Sequence, residues 1–196
     1  VHMSRGLGDV YKRQDMAPML EEAKTQLHEE ADYEQEARYL KAFVRALGGD
    51  ERFLIPRLIP HLSATRILGM TYVPGIPIEE VANETAAERS RVLGLLFELL
   101  MIELFQLRLV QTDPNFANYR YHATTGQVAL LDFGASRRFK VGLTRSYREL
   151  LVAAIDADRP AMIRAAESIG YDLGPEGSVY RETLLDLAEL VLVPLT

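Results

Sequence analysis

The feature that most restricts the fold is an apolar stretch near the middle of the chain, VLGLLFELLMIELFQLRLV, residues 92–110. A membrane-spanning helix needs about 18 or more largely uncharged residues, but Glu98, Glu103 and Arg108 interrupt this stretch. The pattern predicts a helix over 86–110 with apolar side chains on most of its faces, and other elements must cover such a helix. The stretch therefore predicts a buried helix in a protein with a substantial core.

Composition agrees with a globular, acidic protein. The 196 residues are 48% hydrophobic, which is enough for one good-sized domain or two small lobes. The formal charge is −6, from 28 acidic and 22 basic residues. Because no basic block occurs, we expect no nucleic acid partner. Cysteine is absent from the sequence, which excludes disulfides and thiolate metal sites.

The first third of the chain predicts helix, then strand, then an irregular connector. Apolar residues recur at three- and four-residue steps over 16–47, which predicts one long helix or two in tandem. The glycine pair at 48–49 predicts a left-handed turn at the end of this helix. The segment TRILGMTYV, 65–73, is rich in β-branched and aromatic residues and predicts a strand. The proline and glycine residues at 74–77 then predict a connector without regular structure that could act as a hinge.

The part beyond the apolar helix predicts a hairpin and a helical end. The hairpin over 119–131 consists of strand, a turn at HATTG, and a second strand, QVALL. Helical spacing returns over 145–157, 161–169 and 179–193. The chain is therefore predicted to be α+β, with a small mixed lobe followed by a mostly helical lobe.

Two short polar segments flank the predicted hairpin. QTDPNFANY places Asp113 and Asn118 five residues apart in a loop, and LLDFGASR places Asp132 at the end of a strand. Gly134 follows, and it permits backbone dihedrals that a side chain would forbid. Asn118 and Asp132 offer the hard oxygen ligands that Mg²⁺ prefers, with waters and substrate phosphates completing its shell. Asp113 could accept or orient the proton of an attacking hydroxyl or water.

The D-x-x-x-x-N segment taken alone is more often a simple turn than a site. Here DFG begins fourteen residues after Asn118, with the hairpin between them, which favours the catalytic loop and metal motif of protein-kinase-like enzymes. The loop departs from that of ordinary protein kinases, because Gln111 and Thr112 precede Asp113 and Asn115 stands where a phosphate-steering lysine is expected. Asparagine cannot supply the positive charge of that lysine, so ordinary protein-kinase activity is doubtful.

Four segments together resemble the UbiB/AarF family of atypical kinases, which is associated with ubiquinone biosynthesis; they are EEADYEQEARYL, TYVPGIPIEE, QTDPNFANY and ALLDFGASRRF. The resemblance covers roughly residues 18–175. It implies a protein-kinase-like two-lobed fold, with a partial N-lobe over 15–74 and a mostly helical, truncated C-lobe over 75–196. It also implies ATP and Mg²⁺ as cofactors.

The resemblance implies a role for each of several acidic residues. Glu30 and Asp32 match the family's E-x-D motif. Glu36 looks like the helix residue that pairs with a lysine of the nucleotide lobe. Asp32 and Glu36 are four residues apart and would share one face of a helix. From spacing alone, a solvated acidic face is the better interpretation, and only the resemblance reverses it.

The same resemblance assigns the remaining site residues. Asp113 matches the catalytic-loop aspartate, and Asn118 and Asp132 match the Mg²⁺ ligands. A strand-to-hinge segment beside adenine would be formed by Met70, Thr71, Tyr72 and Val73. Recognition of adenine by backbone groups leaves little side-chain signature, so an ordinary strand remains an alternative for this segment.

The start of the chain does not fit the family. SRGLGDVYKRQ, residues 4–14, resembles one reading frame of a transposase-based sequencing-library adapter, so we predict that 1–14 is non-native. The family's K-x-G-Q helix, alanine-rich loop and ATP-contacting lysine would precede Glu30, and they do not occur in this sequence. We therefore expect a fragment, truncated at both ends, with little or no turnover, because phosphoryl transfer depends on positioning and charge stabilisation.

The expected function is that of an ATP- and Mg²⁺-dependent kinase or ATPase of the UbiB type that supports ubiquinone biosynthesis. Expected partners are ATP, quinone-biosynthesis enzymes, and a lipid or membrane surface. We expect a location in the bacterial cytoplasm at the inner membrane, or on the matrix side in mitochondria, and not a secreted protein. Two alternatives stay open: a small-molecule phosphotransferase of the aminoglycoside or choline kinase type, which the Glu30, Asp32 and Glu36 pattern argues against, and a noncatalytic nucleotide-responsive scaffold.

Overall fold

A computed structural model describes residues 32–113 and 115–192, and its elements confirm the α+β class. The α-helices are α1 (Tyr33–Leu47), α2 (Ala86–Met101), α3 (Val141–Ile155), α4 (Arg159–Ile169) and α5 (Val179–Leu192). The strands are β1 (Phe53–Leu54), β2 (Ile76–Pro77), β3 (Leu109–Gln111), β4 (Tyr119–His122), β5 (Gln127–Leu130) and β6 (Ser136–Arg138). A π-helix (Ile102–Leu107) and short 3₁₀ helices (Pro60–Leu62, Ile78–Asn83 and Phe116–Asn118) complete the described part.

The strands form two sheets that bring the polar segments together. In the larger sheet the order is β1-β5-β4-β2, and β4 and β5 form the predicted antiparallel hairpin. In the smaller sheet β3 and β6 are antiparallel, with Gln111 opposite Ser136. Since β3 leads into the segment with Asp113 and β6 follows Gly134, this pairing places the two segments side by side.

Helix α1 begins and ends for identifiable reasons. The side chain of Asp32 caps its N-terminus by accepting the Gln35 N–H at 2.9 Å. The helix ends at Leu47, as predicted, but the expected left-handed turn is wrong. Gly48 keeps a right-handed conformation, with φ of −67°, and its N–H continues the helical bonding to the Val44 carbonyl at 2.9 Å. The remainder of the predicted helix, 16–31, lies outside the described residues.

The strand predicted over 65–73 does not form. Two isolated antiparallel bridges stand in its place, Leu58 with Met70 and Ala64 with Ile67. The segment opposite is bounded by Pro56 and Pro60, which have no N–H to donate to a ladder, so the pairing cannot extend. The predicted connector is more regular than expected, because Ile76–Pro77 forms β2 against β4.

The predicted helix over 86–110 is correct only in its first part. Helix α2 ends at Met101 and is followed by the π-helix, and Arg108 then adopts a left-handed conformation with φ of 51°. This residue redirects the chain into β3, where Leu109 and Val110 are buried. The expected burial on most faces is also wrong, because Leu93 is 65% exposed on α2. Among the residues that the structure describes, no helix is long and apolar enough to cross a membrane.

Two apolar clusters hold the described part together. The larger cluster joins α1, α2 and the main sheet, and at its centre the rings of Phe43 and Phe133 pack with centroids 5.1 Å apart. The smaller cluster lies among the predicted helices at the end of the chain, around Met162 and Leu185. The division into lobes at 74 and 75 remains a prediction.

Candidate active site

The segment that contains Asp113 is tied to the segment that contains Asp132. We call residues 112, 113 and 115–118 the Asp113 loop, and residues 131–135 the Asp132 loop. The Asn118 side-chain amide donates to Asp113 Oδ2 at 2.9 Å, and the Asn118 carbonyl accepts the N–H of Leu131 at 2.9 Å. Asn118 is only 8% exposed, so these bonds are shielded from water. The structure thus brings together the three residues predicted to act on metal and proton.

The Asp132 loop is a tight turn around a buried ring. Asp132 Oδ1 accepts the N–H of Gly134 at 2.8 Å, and Phe133 between them is 1% exposed. The conformational reason predicted for the glycine is wrong, because Gly134 does not have a positive φ. A Cβ at this position would instead lie 3.3 Å from Glu36 Oε2 and 3.4 Å from Asp132 Oδ1. The glycine is therefore explained by the close approach of two carboxylates.

Glu36 reaches from α1 to the Asp132 loop. Its Oε1 accepts the N–H of Phe133 at 3.4 Å, and the residue is 9% exposed. Burial raises the pKa of Glu36, the nearby charge of Asp132 raises it further, and the Phe133 N–H opposes both effects. An acid in this position would be stabilised in its charged form by a cation placed beside both carboxylates.

Asp32 does not join Glu36, although the two are one helical turn apart. The Asp32 carboxylate caps α1, its side chain is 46% exposed, and one of its oxygens lies 3.9 Å from Arg38. Glu30, the other residue of the E-x-D motif, lies outside the described residues. The structure therefore places only Glu36 of this acidic group at the two loops.

The segment predicted to lie beside adenine is held by residues 57 and 58 and by the larger apolar cluster. Met70 packs against the larger apolar cluster, Val73 is buried, and the Tyr72 side chain is 83% exposed. The Thr71 hydroxyl accepts the N–H of Arg57 at 2.9 Å. The Thr71 N–H donates to the Arg57 carbonyl at 2.9 Å, and the adenine role of the segment stays a prediction.

Gln111 and Glu103 belong to the site, although sequence reasoning did not assign them to it. The Gln111 side chain donates to the Asp132 carbonyl and accepts the Asp113 N–H, both at 3.1 Å. Glu103 Oε2 accepts the Gln111 N–H at 3.1 Å. The available signal was a carboxylate within an apolar stretch, which is costly to bury without a role.

The site carries concentrated negative charge. Burial raises the pKa of Tyr119 to about 12, and the charges of Glu103, Asp113 and Asp132 contribute in the same direction. Tyr119 therefore remains neutral across the physiological pH range. The contribution of these charges to the rise of its pKa indicates a negative electrostatic potential at the site. Such a potential attracts a cation.

The donor atoms fit Mg²⁺. With its amide nitrogen donated to Asp113, Asn118 presents a carbonyl oxygen, and Asp132 presents a carboxylate. Within the described ranges, no group of three or more His, Cys, Asp or Glu residues is placed to hold a metal ion. An ion between Asn118 and Asp132 would therefore need water and phosphate oxygens to complete its shell, which is the usual arrangement for Mg²⁺.

The arrangement resembles that of a solved protein. The structure titled as the complex of Rv3197 with erythromycin from Mycobacterium tuberculosis matches with a TM-score of 0.71 over 92% of this chain and 46% of that one. The identity is 23%, so this likeness concerns the fold alone. The class that the fold and the aspartate loops define is that of an atypical kinase domain.

A family model described as the ABC1 atypical kinase-like domain matches residues 3–166. The chain belongs to this family, which confirms the UbiB/AarF resemblance. Because the matched range includes residues 4–14, the non-native origin of that segment stays a prediction.

Curated relatives agree with this assignment. The chain is 33% identical to the mitochondrial atypical kinase COQ8B of Rattus norvegicus over 89% of its own length, and 32% identical to COQ8 of Saccharomyces cerevisiae over 84%. It is 34% identical to coq-8 of Caenorhabditis elegans over 82%. The matched region spans 33%, 33% and 22% of these relatives. The chain therefore corresponds to about a third or less of each relative.

Proposed function

We propose that this chain carries the catalytic and metal-binding loops of an ATP- and Mg²⁺-dependent phosphotransferase or ATPase with a two-lobed, protein-kinase-like fold. The observation that carries this proposal is the direct bond between Asn118 and Asp113, together with the backbone bond from Leu131 to Asn118. Phosphoryl transfer depends mainly on positioning and electrostatic stabilisation. Fixed oxygen groups on two adjoining loops suit that requirement.

Each loop would have a separate task. Asn118 and Asp132 would hold Mg²⁺, which when bound neutralises charge on the nucleotide phosphates. Asp113 has Oδ2 fixed by Asn118, so its other oxygen would orient and accept the proton of an attacking hydroxyl or water. Glu36 would pair with a lysine of the nucleotide lobe and keep that cation near Asp132.

The remaining assignments complete the nucleotide site. The extended segment 70–73 would contact adenine through backbone groups. Glu30 and Asp32 would act at the start of α1, where the cap by Asp32 supports an ordered helix end. The support for these roles is the family to which the chain belongs.

We further propose that the reaction supports ubiquinone biosynthesis near a lipid surface, with quinone-biosynthesis enzymes as partners. The support is the set of relatives named as mitochondrial COQ8-type atypical kinases. Because the chain spans about a third or less of those relatives, the acceptor and the activity of the whole protein belong to this proposal. The corresponding location is the matrix side in mitochondria, or the cytoplasmic face of the inner membrane in a bacterium.

A nucleotide-responsive scaffold is the second candidate, and one observation favours it. Asn115 occupies the place of a phosphate-steering lysine, and its side chain accepts the N–H of Ala117 at 3.0 Å. This side chain is therefore engaged in the turn, and it has no positive charge to stabilise a transferred phosphoryl group. A site of this kind could bind Mg²⁺ and nucleotide with little turnover.

Complementation of a quinone-deficient host separates the two candidates. We expect Asp132→Asn in the full-length protein to abolish rescue, because phosphoryl transfer needs the metal that Asp132 holds. The matched control is Asp172→Asn, since Asp172 Oδ1 also accepts the N–H of a glycine two residues on, Gly174, but lies outside the site. Full rescue by Asp132→Asn at equal protein level would favour the scaffold.

A further inference from the structure

A buried carboxylate behind the site is not explained by metal binding or by proton transfer. Glu103 is 3% exposed within the π-helix, and Oε1 has no hydrogen-bond partner in the described part of the chain. Its Oε2 accepts the Gln111 N–H at 3.1 Å. Burial raises the pKa of Glu103 to about 7, while the Gln111 N–H lowers it. A group that is costly to bury and is aimed at the end of β3 requires a reason.

Gln111 uses its hydrogen-bonding groups to connect three elements. Its N–H reaches the π-helix through Glu103, its side-chain oxygen accepts the Asp113 N–H, and its side-chain nitrogen donates to the Asp132 carbonyl. A carboxamide offers both a donor and an acceptor at its tip. Glutamate lacks the donor and methionine lacks both strong groups, so residue type matters at this position.

We propose that Gln111 and Glu103 are positioning residues that hold the Asp113 loop against the Asp132 loop, with Gln111 as the bridge and Glu103 as its anchor. This inference rests on the proposed function, because the register of the loops matters through the Mg²⁺ and nucleotide that they would bind. The bonds go to backbone groups of Asp113 and Asp132. The bridge therefore occupies no carboxylate oxygen of either aspartate, and it acts on the separation of the two loops.

Partners of this kind affect a metal site strongly. Loss of a group that orients a metal ligand typically weakens metal affinity by about 10- to 100-fold. Here the bridge touches the residue that would bind the ion, Asp132, and the residue that would act on the proton, Asp113. Loss of the bridge should therefore reduce the free energy of Mg²⁺-dependent nucleotide binding more than it reduces the free energy of unfolding.

The charge state of Glu103 should adjust this bridge. A charged acceptor makes a shorter and stronger hydrogen bond than a neutral one, so ionisation of Glu103 strengthens its hold on Gln111. The wall of a surface cavity of about 300 Å³ includes Glu103 and Gln111, with Leu100, Phe116 and Tyr119. Solvent protons thus have a route to the carboxyl group.

The charged and titratable groups near Glu103 do not change charge around pH 7, so a pH effect in this range is assigned to Glu103. From β4, Tyr119 faces it and is neutral at physiological pH, because its pKa is about 12. From α3, Arg148 stacks over Phe105 at 5.2 Å, and from α1, Arg45 lines a separate cavity beside Leu107. From β3, the facing group is the uncharged Gln111 N–H.

The first arm of the test measures binding of Mg²⁺ with a non-hydrolysable ATP analogue by calorimetry, using the full-length protein. We expect Gln111→Met to weaken Mg²⁺-dependent binding by at least about tenfold and to leave binding without Mg²⁺ nearly unchanged. Gln127→Met is the matched control, because the Gln127 side chain accepts from the Thr125 hydroxyl and donates to the Glu51 carbonyl, away from the site. Equal affinities for wild type and Gln111→Met would overturn the bridge and leave the proposed function intact.

The second arm uses Glu103→Gln, which preserves shape and removes only the charge, so it serves even where Gln111→Met fails to fold. We expect the affinity ratio of wild type to variant to rise from about 1 at pH 6 to about threefold at pH 8. Taking this ratio cancels the titration of the nucleotide itself. In a Gln111→Met background the affinity ratio should not rise with pH, because Glu103 then has no Gln111 side chain to position.

Two results of the second arm would overturn the inference. A ratio that does not change with pH would show that Glu103 has no influence on the site. A rise that persists in the Gln111→Met background would show long-range attraction of the cation in place of positioning. Absence of Mg²⁺-dependent binding in the wild type would overturn the proposed function, and the positioning role would fall with it.

Discussion

Two turns of the chain share the sequence pattern D-x-G and the same local bond, yet only one adjoins the candidate site. Asp132 accepts the N–H of Gly134 at 2.8 Å, and Asp172 accepts the N–H of Gly174 at 2.9 Å. In both turns the middle residue is buried. The two turns differ in the polar groups that other elements place beside the aspartate. The comparison shows that the local turn does not make a site, and that contacts from residues distant in sequence are needed.

At the Asp132 turn, three other parts of the chain contribute polar groups. Glu36 comes from α1, Gln111 from β3, and Asn118 from the Asp113 loop. At the Asp172 turn, the aspartate is exposed, and Gly174 bonds to Arg181 of the next helix at 3.3 Å. Contacts distant in sequence define the first turn, and contacts close in sequence define the second.

The largest difference should appear when the middle residues are truncated. We expect Phe133→Ala to lower the free energy of unfolding by about 3–5 kcal/mol, because a 1% exposed ring at the centre of the larger cluster leaves a cavity. Leu173→Ala should cost about 2 kcal/mol. Urea unfolding at equal pH measures both. Equal losses would mean that the two turns are equally embedded.

The second difference concerns pH, because only the Asp132 turn is connected to a buried acid. Folding raises the pKa of Glu103 from 4.5 to about 7, so the folded state binds this proton more tightly than the unfolded state. The resulting stability is present below pH 4.5 and is lost as pH rises through about 7, an effect on the order of 3 kcal/mol.

The measurement is the free energy of unfolding from pH 4.5 to 8 in wild type and Glu103→Gln. Glu36 also has a raised pKa and contributes with the same sign, so the difference between the two proteins isolates Glu103. We expect the free energy of unfolding to fall less with rising pH in Glu103→Gln than in the wild type. Parallel curves would contradict the assignment of a neutral, buried Glu103.

The third difference is in the two glycines. Gly174 has φ of +68°, where an alanine is strained, so Gly174→Ala should cost about 1–2 kcal/mol. Gly134 lacks this strain, and its added Cβ would instead press on Glu36 and Asp132. We expect Gly134→Ala to change the melting temperature less than Gly174→Ala does, and to weaken Mg²⁺-dependent nucleotide binding more. The opposite pattern would remove the distinction between the turns.

The smallest effect concerns Asp32, an aspartate whose observed contacts are local. We expect Asp32→Ala to lower stability by about 1 kcal/mol through loss of the helix cap, and Asp32→Ser to restore most of it. Thermal unfolding of both variants tests the cap. If Asp32→Ser is stable but loses nucleotide binding, Asp32 has the site role proposed for the E-x-D motif beyond its cap.

Much of the fold was predictable, because its strongest signals are local. The hairpin at 119–131 and the last three helices follow from periodicity and turn residues, and the structure contains them. The prediction of a strand at 65–73 was wrong because a strand needs a partner to pair with. The segment opposite is bounded by Pro56 and Pro60, which cannot donate to a ladder. The prediction that the helix continues to residue 110 was wrong, because neither the change to a π-helix after Met101 nor the left-handed Arg108 leaves a mark in an apolar pattern.

The site was predictable only in part, for a related reason. Asp113, Asn118 and Asp132 stand in recognisable short segments, and the structure brings their loops together. Gln111 could be read only as a departure from a motif, and Glu103 only as an interruption of a helix. Their meaning depends on hydrogen bonds across β3 and the π-helix, which spacing along the sequence does not reveal.

The most direct test of the central claim is the Mg²⁺ dependence of nucleotide binding in Asp132→Asn and Asp172→Asn, measured by calorimetry in parallel with the wild type. Both changes keep the size of the side chain and an oxygen that can accept the glycine N–H. We predict that Asp132→Asn weakens Mg²⁺-dependent binding by at least about 100-fold, because a carboxylate is lost from a site with few protein ligands. Asp172→Asn should bind as the wild type does. Equal binding by all three proteins would contradict a metal site at the Asp132 loop.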